Sequence, residues 1–135
     1  MSDFQSEKRL VREYYAALDQ AEGPAIDSVL RDFTAQDYVW RAFHPFDVQT
    51  DINEVSRLFW QPFRHGIKHM QRRMDVFFAG DNFIDDGASV WVCSMGHLMG
   101  LFDEAWLGIQ PTRKMVMLRY AEFHKIENGK IAQTA

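Results

Sequence analysis

One cysteine, Cys93, and four prolines are all that the 135 residues contain of those two types. A lone cysteine closes no internal disulfide, and no Cys/His spacing suggests a zinc site, so Cys93 reads as a small buried hydrophobe in mid-strand. Positive charge is sparse too. Net charge is −4, the pI is about 5.7, and no Lys/Arg run exceeds Arg72-Arg73. That balance leaves no electrostatic footprint for nucleic acid. No stretch approaches the roughly 18 apolar residues of a membrane span, and the opening MSDFQSEKRL has no apolar core of signal-peptide length. A soluble cytoplasmic protein is the expectation. Internal repeats, linkers and low-complexity tracts are missing as well.

What is abundant is apolar and aromatic side chain. The hydrophobic fraction is 47% and the aromatic fraction 14%, with eleven Phe and four Trp. This fits one packed domain with a sizeable core rather than a disordered chain.

Periodicity orders the chain. Leu10, Tyr14, Ala17 and Leu18, widened by Val11 and Tyr15, predict a helix over 6–20 with one inward face. Gly23-Pro24 breaks it, and Ile26, Val29, Leu30 and Phe33 predict a second, short helix. Tyr38 to Phe43 favours a strand by composition, followed by a loop at His44-Pro45-Phe46-Asp47. Asp51 with Glu54 approximates a capping box for a third helix through Val55, Leu58 and Phe59, which Pro62 is expected to bend or end. Residues 70–79 read as a strand entering from an exposed edge. Two long strands follow at 89–101 and 114–126, and Asn128-Gly129 signals a hairpin into a last strand from Lys130. Helices first and consecutive strands afterwards predict α+β with an antiparallel sheet.

The stretch Ser94–Lys130 carries the chemistry. His97 and Glu122 sit among apolar neighbours, where a titratable group is costly unless paired or used. Arg119 lies between them in the pattern, on the opposite strand face from Glu122. Met115, Met117, Ala121 and Phe123 on one face, and Val116, Leu118, Tyr120 and Ile126 on the other, demand cover on both sides.

Two segments, Gly96-His97-Leu98-Met99-Gly100 and Gly108-Ile109-Gln110-Pro111-Thr112-Arg113-Lys114, resemble the SnoaL-like polyketide cyclase family of the nuclear transport factor 2-like superfamily. The likeness continues through Arg119, Glu122, Phe123 and the closing Ile126-Glu127-Asn128-Gly129-Lys130-Ile131. It implies a cone-shaped, curved antiparallel sheet wrapped around three helices, an internal apolar pocket, and homodimers through the outer sheet face. It also implies cofactor-free aldol or enolisation chemistry on a hydrophobic, carbonyl-bearing small molecule. Glu122 would be base or proton shuttle and His97 the donor, with Arg119 holding a charge. Trp40, His44, Trp60, Met95, Trp106 and Tyr120 would complete the substrate wall, with Trp106 over the mouth. No metal or cofactor is implied.

The match has a gap. The family's catalytic aspartate lies past the closing turn, where this chain reads Ile131-Ala132-Gln133-Thr134-Ala135, so 1–135 is expected to be a single domain trimmed in its last strand. The residues leave other readings open. Glu122 and Arg119 serve equally as structural charges, His97 as a satisfied core or interface histidine, and His124, close to the turn, as an exposed one. A non-catalytic binding or dimerisation domain of a longer protein is the alternative function.

Overall fold

Helix α1, Gln5–Gln20, buries Val11, Tyr14, Tyr15 and Leu18, the one-faced spacing that drives an amphipathic helix onto a sheet. The computed structural model describes residues 3–135. After Pro24, α2 (Ala25–Phe33) buries Ile26 and Leu30, and β1 (Thr34–Arg41) follows directly, starting earlier than composition predicts. A short β2, Val48–Gln49, pairs back on β1 beyond the loop.

The third helical segment corrects an expectation. It runs α3 (Ile52–Val55), a π-turn (Ser56–Trp60) and α4 (Gln61–Gly66) without a break. Of the two outcomes expected at Pro62, a bend or an end, the end does not occur: a π-turn directly precedes it and α4 continues through it, the shifted register easing the ring's clash with the preceding turn. Asp51 caps the start, its Oδ1 accepting the Asn53 N–H at 2.9 Å. Glu54 does not close the capping box; its carboxylate pairs with Arg57 at 2.5 Å.

Strands β3 (Ile67–Asp81), β4 (Val90–Phe102), β5 (Met115–Glu127) and β6 (Lys130–Thr134) complete the protein. The six-stranded sheet has the order β2-β1-β6-β5-β4-β3. It is antiparallel except where β1 and β6 run parallel, a pairing that strand content alone does not reveal. Asn128 and Gly129 both adopt positive φ, 52° and 72°, as an Asn-Gly hairpin turn requires.

The β4–β5 ladder sets the site. Its register is regular, with Ser94 opposite Glu122, Gly96 opposite Tyr120, and His97 opposite Arg119. Alternation then assigns faces: Val92, Ser94 and Leu98 are buried toward the helices, and His97 and Arg119 project from the outer face. At Gly96 an added Cβ would stand 1.8 Å from the Arg73 carbonyl oxygen, so glycine lets β3 fold closely over β4 beside a bulge. The core joins the helices to the inner sheet face through Leu18, Leu30, Phe63, Val92 and Ile131, each buried and each stabilising by about 1.5–3 kcal/mol. Cys93 is free and buried, as expected.

Candidate functional site

Aromatic residues from three regions make an apolar pocket between the helices and the sheet. Trp40 and Phe46 come from β1 and its loop, Phe59, Trp60 and Phe63 from the π-turn and α4, and Trp106 from the β4–β5 crossing. Leu98, Leu118, Tyr120 and Glu122 form the sheet side, and the cavity measures about 260 Å³. Phe59 is the hub, with ring centroids 5.4 Å from Trp40, 5.0 Å from Phe46 and 5.4 Å from Phe63. One buried atom of a wall residue lacks a partner: among the described residues the indole Nε1 of Trp106 is the buried side-chain nitrogen or oxygen without a hydrogen bond.

Glu122 is the carboxylate on this wall, and a buried polar network anchors it from behind. Tyr15, on α1, donates its hydroxyl to Glu122 Oε1 at 3.1 Å. Arg72, on β3, reaches the same oxygen through Nη1 at 3.4 Å. Both bonds fall on Oε1, so Oε2 carries neither. Arg72 is itself gripped by Asp19 of α1, with Nε to Oδ2 at 2.8 Å and Nη2 to Oδ1 at 3.1 Å. Its guanidinium lies 3.8 Å from the Tyr15 ring centroid and 4.8 Å from that of Tyr120. Burial works against the Arg72 charge, yet the Asp19 hydrogen bonds and the charges of Glu122 and Asp19 outweigh it and raise its pKa.

Behind Tyr15 lies His124, fully buried. Its Nε2 is 2.8 Å from the Tyr15 hydroxyl and its Nδ1 is 2.9 Å from Thr134 Oγ1. Burial lowers the pKa of this imidazole; Glu122 opposes that shift and Arg72 adds to it. Burial likewise pushes the Tyr15 phenol well up, Glu122 adding to the effect and Arg72 opposing it. Tyr120 completes the inner polar row, its hydroxyl 2.9 Å from Ser94 Oγ.

The structure separates the two residues expected to share one hollow. His97 lies on the outer face, with Nδ1 3.0 Å from Asp75 Oδ2, and is not on the pocket wall. The reason is parity: in the β4–β5 register, His97 is level with Arg119, an odd number of residues from Glu122. Arg119 borders the pocket, but its side chain projects on the outer side, so Arg72 rather than Arg119 pairs with Glu122. Met95 also lies on the outer side and His44 on an exposed loop; neither lines the cavity. Trp40, Trp60, Trp106 and Tyr120 do. His124 reverses the exposed expectation, because β6 covers it, with Thr134 opposite. Sequence reasoning missed Tyr15, Asp19 and Arg72 as partners of Glu122. Tyr15 was legible only as part of an inward helix stripe.

No protein-family model and no curated protein matches the chain in sequence. Solved structures do match in shape. A candidate SnoaL-like polyketide cyclase from Jannaschia sp. CCS1 is 17% identical at TM-score 0.71, over 98% of this chain and 83% of that one. AclR of Streptomyces galilaeus, a candidate hydroxylase, is 16% identical at TM-score 0.74, over 98% and 77%. TsrD of Streptomyces laurentii is 15% identical at TM-score 0.73, over 100% and 89%. Two of these names denote different activities, as expected where a fold hosts many sites. Among the described residues no helix is long and apolar enough to cross a membrane. Helices leading into an open, mixed six-stranded sheet give this chain the cone-like α+β fold of the SnoaL-like and other nuclear transport factor 2-like proteins.

Proposed function

We propose that the chain binds a hydrophobic, carbonyl-bearing small molecule and removes a proton beside the carbonyl, with Glu122 as the base. The observation that carries this reading is a carboxylate on an aromatic pocket wall, held through Oε1 by Tyr15 and Arg72, with Oε2 unengaged. Fixing one oxygen orients the other, which is the preorganisation that proton transfer needs. In the step itself, Glu122 Oε2 takes the proton, and the C–H electron pair moves into the enolate. Trp106 lies on the same wall, and its buried Nε1–H, a donor without a partner among the described residues, would reach the enolate oxygen once the ring turns toward the cavity. A cavity of about 260 Å³ suits a bicyclic skeleton, below the usual range for drug-sized ligands. Cyclase-named structures of the same fold support an aldol or enolisation outcome.

A second copy covers the outer sheet face in this reading. Met115 is 69% exposed, Met117 58% and Phe78 53%, an apolar surface of the kind that marks an interaction site.

The test is α-proton exchange of 2-tetralone in D2O, followed by proton NMR. Wild type accelerates exchange, and Glu122→Gln loses about 10²–10⁴-fold of that acceleration. Equal rates in the two proteins remove Glu122 as base. Binding of the probe by both without exchange would favour a binding domain instead.

A further inference from the structure

The phenol of Tyr15, with the Ser94 hydroxyl also beside it, stands between Glu122 and His124 and has one proton. Glu122 Oε1 stands at 3.1 Å and His124 Nε2 at 2.8 Å from the same oxygen. Glu122 is ion-paired with Arg72 and accepts only. The Tyr15 O–H therefore goes to Glu122, and the second contact is a hydrogen bond only if His124 donates from Nε2. A neutral ring protonated at Nε2 presents a lone pair at Nδ1, which takes the Thr134 hydroxyl proton at 2.9 Å. The opposite order turns a phenol lone pair against a carboxylate oxygen. A single donor sequence, Thr134 to His124 to Tyr15 to Glu122, satisfies every contact.

Among the described residues the ring's hydrogen-bond partners are Tyr15 and Thr134. Tyr14 and Tyr15 of α1 meet it edge-on, with centroids at 6.0 and 5.6 Å. Tyr38 of β1 lies by Thr134, Glu122 is on the same strand, and Arg72 approaches from β3, facing Tyr15. His124 itself is fully buried and is not part of the pocket wall.

We propose that His124 is a positioning residue: neutral and protonated on Nε2, it commits the Tyr15 hydroxyl proton to Glu122 Oε1 and so leaves Oε2 as the atom that meets the substrate. This rests on the reading of Glu122 as the base. Hydrogen bonds in such a row reinforce one another in a low-dielectric interior, so the imidazole strengthens a bond it does not itself make to Glu122. Burial, which disfavours the charged ring, is consistent with the neutral form.

Two readouts test it. Nitrogen-15 NMR of histidine-labelled wild type at neutral pH is expected to show one buried imidazole with its proton on Nε2 and a bare Nδ1. A ring protonated on Nδ1, or a charged one, overturns the proposal whether or not the protein turns over 2-tetralone. In exchange kinetics, His124→Gln keeps a donor near the Nε2 position and holds most of the wild-type rate. His124→Leu loses about ten- to a hundredfold in kcat with KM little changed, the scale of a misplaced catalytic group. Equal losses in both variants would make His124 a packing residue and overturn the proposal. An Nε2-protonated ring in a wild type without exchange would overturn the base reading alone.

Discussion

Tyr15 and Glu122, separated by 107 positions in the chain, share a hydrogen bond of 3.1 Å across the interface between the first helix and the inner sheet face. Through it the helix that opens the fold holds the carboxylate on the pocket wall. Tyr15→Phe strips that bond and leaves His124 Nε2 without its acceptor. Loss of about 1–3 kcal/mol is expected, read from urea unfolding midpoints at constant m-value. An unchanged midpoint would mean the network is not closed through the phenol.

Arg72 serves two carboxylates at once, Asp19 and Glu122, with only 5% of its side chain exposed. Arg72→Met strands both acids, and a loss of about 3–5 kcal/mol follows for breaking a buried pair from one side. Adding Asp19→Asn to Arg72→Met should recover part of it, because one uncompensated charge disappears. Additive losses in the double variant would show that the two groups do not interact.

Stability should bend with pH on both sides. Burial holds His124 below its ordinary 6.5, so the unfolded chain binds a proton that the folded one refuses. Unfolding free energy is therefore full above about pH 6.5 and declines as pH falls toward the folded value. His124→Gln should flatten its share of that acid slope. On the alkaline side burial raises the phenols of Tyr14, Tyr15 and Tyr38 above their ordinary 10.0. Stability there is full below about pH 10 and falls as pH rises beyond it. Chemical denaturation across pH 4–11 reads both limbs, with the range set by these ordinary values.

Gly96→Ala places a methyl 1.8 Å from a backbone oxygen of the neighbouring strand. Overpacking of about 1–3 kcal/mol or more is expected. Gly80→Ala, where an added Cβ meets nothing within 4 Å, serves as the control and should lie within about 0.5 kcal/mol of wild type. Thermal melts of the pair compare them directly.

Met117→Glu puts a charge in the middle of the exposed outer face, where Met117 is 58% and Phe123 46% exposed. If a second copy covers that face, sedimentation velocity should move from dimer toward monomer, with the pocket chemistry retained at the monomer level. A wild type that sediments as a monomer at all concentrations would dismiss the dimer.

Sequence periodicity determined much of this architecture alone. The apolar stripe of α1, the Gly23-Pro24 break, the two long strands and the Asn128-Gly129 turn are local features, and each reports a local preference for backbone angles or a burial period. Aromatic abundance announced a packed core; the pocket was an implication of the family resemblance, and of its expected wall Trp40, Trp60, Trp106, Tyr120 and Glu122 do line the cavity. What only the tertiary structure decided was who meets whom. Register placed His97 and Glu122 on opposite faces, because a side chain's face depends on the parity of its pairing with a strand distant in sequence. The π-turn carried the third helix past Pro62, a hydrogen-bond shift with no composition signature. Tyr15, Arg72 and His124 gathered around one carboxylate because α1, β3 and β5 pack together. That closeness is a property of the closed fold and is written in no single stretch of the chain.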